Sequence, residues 1–261
     1  MGKTVAIIQA RMGSSRLPGK VLLDLGGQSM LARTLNRTGR AAGLDELVVA
    51  TTTDKGDDAL QKFCERAGYA CFRGNAYDVL DRYYQCTKMV AAETVVRITA
   101  DCPFIAPEEI TRLLKVYQKG EYDFVANRLP PPFKRTTPIG MDTEIVSFKN
   151  LERAWQEAKE PYEREHVMPY FYDTPGRFRV KLVQHQPSLG HLRFTVDTPE
   201  DLALAREIFA AFGNRDDFTL AELLAANALH PEWQASVEAV KHKGFKDLDA
   251  RMSTGRGETH G

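Results

Sequence analysis

The beginning of the chain constrains the fold most strongly. Residues 5–8 are four consecutive apolar residues, Val-Ala-Ile-Ile, a run that predicts a strand buried on both faces of a parallel sheet. The run ends at residues 9–20, a segment that contains two arginines, a lysine, two glycines and two serines. Glycines let backbone N–H groups approach a ligand, and three cations suit a polyanion. We therefore expect a triphosphate site in the loop after the first strand.

Strands and helices alternate through the first half of the chain. Short apolar runs are separated from segments with apolar residues at helical spacing. This alternation predicts right-handed βαβ units, and hence an α/β fold with a mainly parallel sheet flanked by helices. The expected strands are residues 47–51, 69–72 and 95–99, and the expected helices are residues 29–42, 57–67, 78–92 and 107–116.

A polar turn follows one of these strands, as loop 9–20 follows the first. The turn is Ala100-Asp101-Cys102-Pro103, directly after the strand expected at residues 95–99. In parallel sheets, ligands bind outside the carboxyl ends of the strands. We therefore expect loop 9–20 and the Asp101 turn to be neighbours.

The second half of the chain is less regular. The prolines of residues 129–133 exclude that segment from a central strand. We expect a main domain over residues 1–213, a small C-terminal helical extension over residues 214–250 and a disordered tail over residues 251–261. The further expected strands are residues 123–126, 143–146, 178–184 and 192–196, and the helices are residues 151–158, 165–172, 202–212, 220–226 and 231–240.

Composition limits the classes of function. The 261 residues include 35 Lys+Arg and 35 Asp+Glu, and this neutral balance argues against nucleic acid as a partner. No apolar run approaches the ~18 residues that span a bilayer, so we expect a cytoplasmic protein without a membrane partner. The four cysteines lack metal-like spacing and are expected to be buried thiols.

Residues 9–20 do not match the common phosphate-binding motifs. Val21 follows Lys20, which excludes the pattern G-x-x-x-x-G-K-[ST], and G-x-G-x-x-G is also absent here. A basic surface loop is the alternative that composition alone leaves open.

The complete string of residues 9–20, Gln-Ala-Arg-Met-Gly-Ser-Ser-Arg-Leu-Pro-Gly-Lys, closely resembles the signature of the CMP-sugar synthetases. These are the cytidylyltransferases that activate acidic sugars such as 3-deoxy-manno-octulosonate and sialic acid. The pattern is most similar to the spore-coat polysaccharide biosynthesis proteins of the SpsF type. Further blocks follow in the family's order at residues 74–83, 97–103, 140–144, 164–167 and 196–202.

The resemblance implies a GT-A-like, Rossmann-related sheet, dependence on Mg²⁺ and commonly a homodimer. It implies that Arg11 and Lys20 bind phosphates and that Arg11, Lys20 and Asp101 are catalytic. Arg16 is either a third phosphate contact or a brace for the loop. The nucleotide-binding residues that it implies are Ala10, Arg11, Gly13, Ser14, Ser15, Arg16, Lys20, Arg73, Gly74 and Thr99.

Asp101 and Asp197 are the candidate metal ligands. Each follows an apolar run and precedes a turn that contains proline, so the two carboxylates are expected to converge on one Mg²⁺. Helix capping is the alternative for both, and for Asp197 it is quite plausible on the local pattern. The resemblance favours the metal role, more strongly for Asp101.

The candidate sugar-binding residues rest on the resemblance and have structural alternatives. Asp78 is equally suited to the first turn of a helix, and His166 to a structural place on a helix. Arg97 lies within an apolar strand, so its charge needs either an internal carboxylate or the substrate as partner. The complete set is Asp78, Arg82, Arg97, Glu144 and His166.

The chain departs from the octulosonate enzymes at two places. Thr99 stands where their third block has glutamine, and their S-G-T-D-R string is absent from the second block. These differences affect the acceptor sugar and the preference for cytosine, and leave the Asp101 metal role unchanged.

The sequence thus predicts a Mg²⁺-dependent nucleotidyltransferase that converts CTP and an acidic or modified sugar into CMP-sugar and pyrophosphate, for surface or spore-coat polysaccharide. One alternative is an enzyme that uses another nucleoside triphosphate, such as GTP, or a sugar phosphate. The other is a nucleotide-binding scaffold without turnover.

Overall fold

A seven-stranded mixed sheet forms the centre of the protein. The computed structural model describes residues 2–240, and the strand order is β3-β2-β1-β4-β6-β5-β7. Among these strands, only β6 runs antiparallel to its neighbours. The predicted α/β fold with a mainly parallel sheet is therefore confirmed. The strands are β1 Thr4–Gln9, β2 Glu46–Thr52, β3 Ala70–Gly74, β4 Thr94–Thr99, β5 Phe124–Ala126, β6 Glu144–Ser147 and β7 Val180–Leu182.

Helices cover both faces of the sheet. They are α1 Met30–Thr38, α2 Asp58–Ala67, α3 Val79–Met89, α4 Pro107–Tyr117, α5 Phe148–Glu157, α6 Pro161–His166, α7 Pro169–Tyr172, α8 Pro199–Ala211, α9 Leu220–Leu229 and α10 Pro231–Ala235.

Alternation of side chains along β1 divides the interior into two cores. Ala6 and Ile8 point to one face, where they join a core that includes residues of α1, α4 and α8. Val5 and Ile7 point to the other face, where they join residues of α3, α5 and α7. All four side chains are fully buried, as expected of a strand covered on both faces.

Two expected elements of the second half are wrong. Residues 192–196 do not form a strand: they make a single bridge, Ile139 with Arg193, and Val196 bonds to the turn after β4 instead of to a strand. Residues 165–172 are not one helix, because Val167 adopts a φ of 72° and ends α6 before Pro169 begins α7.

Several other helices and strands are shorter than expected. The first helix ends at Thr38 rather than residue 42, with Gly39 as its C-cap. Only Val180–Leu182 of the strand expected at residues 178–184 is paired, and the last helix ends at Ala235 rather than residue 240. The tail expected at residues 251–261, and the end of the extension, lie outside the described residues.

Two buried arginines of α1 hold the segment that follows α8. Arg33 is fully buried; it donates to Asn214 O at 2.7 Å and to Asp216 Oδ1 at 2.8 Å. Arg37 is also fully buried and donates to the carbonyl oxygens of Asp216 and Phe218. The start of the C-terminal extension is therefore fixed to the main sheet domain by buried, charge-assisted hydrogen bonds.

The extension also packs into the larger core. Trp233 of α10 is 1% exposed and belongs to the core that includes α1 and α8. Its neighbour Gln234 accepts a hydrogen bond from the backbone N–H of Arg193 at 2.8 Å. The extension thus contacts the segment that leads to Asp197. Within residues 2–240, we find no helix with the length and apolar character needed to cross a membrane.

Replacement of Arg33 tests this attachment. We expect Arg33→Ala to lower the free energy of unfolding by about 3–5 kcal/mol, because it removes the cation paired with the buried Asp216 carboxylate and the donor to several carbonyl oxygens. Urea denaturation measures the change. Arg215→Ala is the matched control: its side chain is 51% exposed and pairs with Asp217, so about 0.5 kcal/mol or less is expected. Equal losses for the two variants would contradict the attachment.

Candidate active site

Three segments meet at the carboxyl ends of β1 and β4. They are the loop after β1, the turn after β4 and the segment before α8. The carbonyl oxygen of Asp101 accepts hydrogen bonds from Val196 N at 2.9 Å and from Thr195 Oγ1 at 3.0 Å. These bonds bring Asp197 beside the Asp101 turn, although residues 192–196 do not join the sheet.

The ammonium group of Lys20 lies at the centre of this meeting point. Its Nζ is 2.8 Å from Asp101 Oδ2, 2.8 Å from Asp197 Oδ1 and 2.8 Å from Val196 O. The residue is 7% exposed. Lys20 therefore links all three segments, and the expected proximity of loop 9–20 to Asp101 is confirmed.

The shape of the first loop directs Lys20 inward. Asp57 is 3% exposed, and its Oδ1 accepts a hydrogen bond from Met12 N at 2.7 Å, which fixes the loop to the end of β2. Gly19 has a φ of 70° and precedes a short 3-10 turn, Lys20–Leu22. Because L side chains rarely adopt this conformation, glycine suits the position from which the chain turns back toward the sheet.

Asp197 is held by cations on both of its oxygens. Lys20 contacts Oδ1, while Oδ2 lies 2.9 Å from an Arg16 guanidinium nitrogen and 3.3 Å from Arg193. Arg16 therefore acts as a brace within the site in this structure. It also lines the cavity described below, so the phosphate-binding alternative for Arg16 stays a prediction.

Arg193 and Asp201 form the support beneath Asp197. Both guanidinium nitrogens Nε and Nη2 of Arg193 donate to the Asp201 carboxylate at 2.7 Å. The Asp201 Oδ2 also accepts from the backbone N–H groups of Asp197 and Thr198, which fixes the start of α8. Bidentate pairing of this kind is geometrically specific, so the position of Asp197 is well defined.

Arg193 and Asp201 were not among the predicted site residues, although the sequence carries a signal for each. Arg193 is a charged residue within an apolar run, the same feature that singled out Arg97. Asp201 lies three residues after the capping residue Thr198, where its side chain completes a capping box.

Gly140 allows the segment before α8 to approach the sheet. It has a φ of 97°, and a Cβ atom there would lie 2.6 Å from the carbonyl carbon of Phe194. Next to it, Ile139 exchanges backbone hydrogen bonds with Leu192 and Phe194 at 2.9 and 2.7 Å. A side chain at position 140 would push away the segment that carries Asp197.

The charges at the centre stabilise one another. Burial alone would lower the pKa of Lys20, but the charges of Asp101 and Asp197 outweigh burial and raise it. Burial alone would raise the pKa of Asp101, but the charge and hydrogen bond of Lys20 outweigh burial and lower it to about 2. The lysine is thus protonated and the aspartate ionised at neutral pH.

A cavity of about 520 Å³ opens above this cluster. Its size lies within the range usual for small-molecule sites, and its wall combines cations, backbone and hydroxyl groups with two carboxylates. Gln9, Val21 and Ala100 also line it and were not predicted. The predicted residues that line it are Ala10, Arg11, Gly13, Ser14, Ser15, Arg16, Lys20, Thr99, Asp101 and Asp197.

Arg73 and Gly74, also predicted to bind nucleotide, do not line this cavity. Arg73 donates to Thr52 O and Asp54 O, each at 2.8 Å, and braces the loop after β2. That loop lines a second cavity of about 250 Å³, which shares Arg11 and Gly13 with the first. Arg73 therefore does not line the second cavity but holds two residues of its wall, Thr52 and Asp54.

The predicted sugar-binding residues do not form one cluster. Asp78 caps α3 through Asp81 N and also binds Arg164, so the capping alternative describes its contacts. Arg82 is fully buried beneath the loop after β3, where it donates to Asn75 O at 3.1 Å.

Arg97 and Glu144 pair with each other across β4 and β6, so the charge of Arg97 has an internal carboxylate as its partner. Burial would lower the pKa of Arg97, but the charge of Glu144 outweighs it and raises that pKa. Arg97 also donates to Gln9, which lines the main cavity. His166 lies at the end of α6. Sugar binding by this set stays a prediction.

The side chains around Lys20 fit a magnesium ion only in part in the observed conformation. Mg²⁺ binds one or two protein carboxylates together with phosphate oxygens and water. Asp101 and Asp197 supply two carboxylates, and residues 2–240 contain no ready-made cluster of three or more acidic, histidine or cysteine side chains. The carboxylates suit the ion, but Lys20 lies between them.

The low pKa of Asp101 makes a testable prediction for the nucleotide-free protein. An ordinary aspartate has a pKa of 3.8, so the stabilisation by this carboxylate is present above about pH 4 and is lost as the pH falls toward 2. We expect Asp101 to remain ionised at about pH 3.5, as measured by ¹³C NMR of the carboxyl group. Lys20→Met should raise its pKa. A midpoint at or above 3.8 in the wild-type protein would contradict the assigned ion pair.

Comparison with known proteins identifies the family of the chain. A family model described as cytidylyltransferase matches residues 5–226, nearly the whole described chain. An uncharacterised protein of Methanocaldococcus jannaschii is 35% identical over 251 residues, which cover 95% of this chain and 99% of that protein. The spore coat polysaccharide biosynthesis protein SpsF of Bacillus subtilis is 31% identical, with 92% of this chain and all of that protein covered.

Solved structures lead to the same family. A cytidylyltransferase from Leptospira borgpetersenii has a TM-score of 0.84 and 30% identity, and the match covers 92% of this chain and 99% of that one. A CMP:2-keto-3-deoxy-manno-octonic acid synthetase complexed with CTP shares the fold, with a TM-score of 0.59, 22% identity and coverage of 80% of this chain and 99% of that one. The chain therefore belongs to the cytidylyltransferase family and is an enzyme of the nucleotidyltransferase type.

Proposed function

We propose that this protein transfers the cytidylyl group of CTP to an acidic or modified sugar, with Mg²⁺ as cofactor, to give CMP-sugar and pyrophosphate. The observation that carries the proposal is the cavity wall, where Arg11, Arg16 and Lys20 face the same space as Asp101 and Asp197. Three cations suit a triphosphate, and two carboxylates suit a metal bound to it.

The chemistry needs positioning and charge stabilisation rather than a covalent intermediate. The sugar hydroxyl attacks the α-phosphorus, a new P–O bond forms, and the bond from the α-phosphorus to the bridging oxygen of pyrophosphate breaks. The hydroxyl proton leaves to a base or to water. Negative charge grows on the phosphate oxygens and on the leaving group. Arg11 and Lys20 are the side chains of this chain that would neutralise it.

Asp101 and Asp197 are the residues that would hold magnesium. The bound ion supplies charge neutralisation at the phosphates. The role of Arg193 and Asp201 is to keep Asp197 in position, through the bidentate pair and the bonds to the backbone of Asp197 and Thr198. Asp197 therefore does not depend on the metal for its placement.

The two neighbouring cavities suggest where the parts of the nucleotide lie. We propose the triphosphate in the larger cavity and the nucleoside in the smaller one, which Arg11 and Gly13 connect to the first. Tyr77 lines the smaller cavity and is 48% exposed, so its ring is open for contact with a base. The acceptor would approach from the side of Gln9 and Thr99.

The biological setting is part of the same proposal. The similarity to SpsF, whose name assigns it to spore coat polysaccharide biosynthesis, supports surface polysaccharide as the destination of the product.

We propose a cytoplasmic homodimer, with the loop at residues 129–135, whose Phe133 is 51% exposed, as the contact between subunits. Light scattering after size exclusion measures the mass: a value near twice 29.3 kDa is expected, and a monomer mass overturns the dimer.

A nucleotide screen tests the proposed donor. We expect pyrophosphate release with CTP and a sugar acid, and little release with ATP, GTP or UTP. Release with GTP alone, or only with a sugar phosphate, would replace the proposed substrates by the alternatives. Nucleotide binding without release under any condition would favour a non-catalytic scaffold.

Replacement of Lys20 tests the proposed phosphate contact. Because it removes a cation from the site of developing charge, we expect Lys20→Met to lower kcat by about 10²–10³-fold. Lys62→Met, at an exposed position of α2, is the matched control and should retain full activity. The contact is wrong if both variants turn over at the wild-type rate.

Removal of metal tests the cofactor. We expect a chelator to abolish pyrophosphate release and added Mg²⁺ to restore it, while thermal unfolding of the nucleotide-free protein stays unchanged because Lys20 already neutralises the carboxylates. Full activity in excess chelator would overturn the magnesium requirement.

A further inference from the structure

The ammonium group of Lys20 has no hydrogen left for a ligand in this structure. An ammonium carries three N–H donors. Those of Lys20 are directed to Asp101 Oδ2, Asp197 Oδ1 and Val196 O, each at 2.8 Å. Lys20 can therefore bind a phosphate oxygen only after it has given up at least one of these contacts.

The same ammonium lies where a metal ion would have to bind. It contacts one oxygen of each candidate ligand, Asp101 and Asp197. The other Asp197 oxygen is taken by Arg16 and Arg193. A divalent cation that approached the two carboxylates would meet the positive charge of Lys20 at close range, in a site where only 9% of the lysine side chain is exposed to screening water.

The surroundings supply a reason for Lys20 to move. Its side chain lines the same cavity as Arg11 and Arg16, so a triphosphate bound there presents several negative oxygens to the lysine. Asp101 would then lose the lysine as its counter-ion and Asp197 one of its three cationic partners, and a partly buried carboxylate without a partner is costly. A metal that arrives with the nucleotide removes that cost.

We propose that Lys20 acts as a stand-in for the metal: it holds the Asp101–Asp197 pair together and excludes divalent ions until a triphosphate draws it away. The metal then enters with the nucleotide and not before it. Lys20 is thus a positioning residue of the nucleotide-free enzyme as well as a phosphate contact in the complex. The inference rests on the proposed function for the identity of the nucleotide.

Binding of Mn²⁺, followed by electron paramagnetic resonance of the free ion, tests the proposal without any turnover. The nucleotide-free wild-type protein is expected to bind Mn²⁺ weakly. Lys20→Met should bind one Mn²⁺ at least ~10-fold more tightly, because it removes a positive charge that contacts both candidate ligands. Lys62→Met should behave as the wild type.

A double variant identifies the ligands. Lys20→Met combined with Asp197→Asn removes one candidate carboxylate and should lose the Mn²⁺ site gained by Lys20→Met. Circular dichroism shows whether each variant is folded. The proposal is overturned if the wild type binds Mn²⁺ as tightly as folded Lys20→Met, or if folded Lys20→Met gains no site.

The wild-type protein also decides the question without variants. A tight one-to-one Mn²⁺ site in the absence of nucleotide overturns the proposal, whereas Mn²⁺ that binds only when CTP is present supports it. If the protein excludes Mn²⁺, Lys20→Met gains the site, and CTP does not bind at all, then the role of Lys20 stands and the proposed nucleotide is wrong.

Discussion

The three hydrogen bonds of the Lys20 ammonium are the interaction on which the site depends. They join the loop after β1, the turn after β4 and the segment before α8, three parts of the chain with no common secondary structure. Without them, Asp101 would lose its lysine partner, and Asp197 would keep only Arg16 and Arg193 as cationic partners. One lysine therefore joins the three segments and supplies a positive charge to both carboxylates, the two candidate metal ligands.

Hydrogen bonds elsewhere in the molecule hold in place the three segments that Lys20 joins. Asp57 fixes the first loop to the end of β2, Arg193 and Asp201 fix the start of α8, and Gly140 leaves room for the chain between them. The C-terminal extension contributes as well, since Gln234 binds the backbone of Arg193. These hydrogen bonds hold the residues that line one side of the main cavity.

The first half of the fold and the location of the site were predictable from local patterns. Apolar runs, glycines and helical spacing indicated βαβ units. The rule that ligands bind at the carboxyl ends of parallel strands predicted that loop 9–20 lies next to Asp101. Residues 192–196 were wrongly predicted as a strand because their composition is mostly apolar. Their backbone partners are Asp101 and Ile139, neither of which lies in a strand. Local composition does not distinguish these two surroundings.

The neighbourhood of these segments could be predicted, but the specific ion pairs between distant residues could not. Lys20 and Asp101 are 81 positions apart, and Lys20 and Asp197 are 177 apart, so no spacing rule connects them. For the same reason, Arg97 could be seen to need a carboxylate, but Glu144 could not be identified as that partner. The sequence indicated which charges required explanation, and the three-dimensional fold supplied the partners.

The most direct test of the account is a crystal structure of the protein with CTP and Mg²⁺. The account predicts that Lys20 Nζ has moved from Asp101 and Asp197 to within hydrogen-bond distance of a phosphate oxygen, with the metal on the two carboxylates. A complex in which Lys20 keeps its 2.8 Å contacts to both carboxylates while the nucleotide is bound would contradict it.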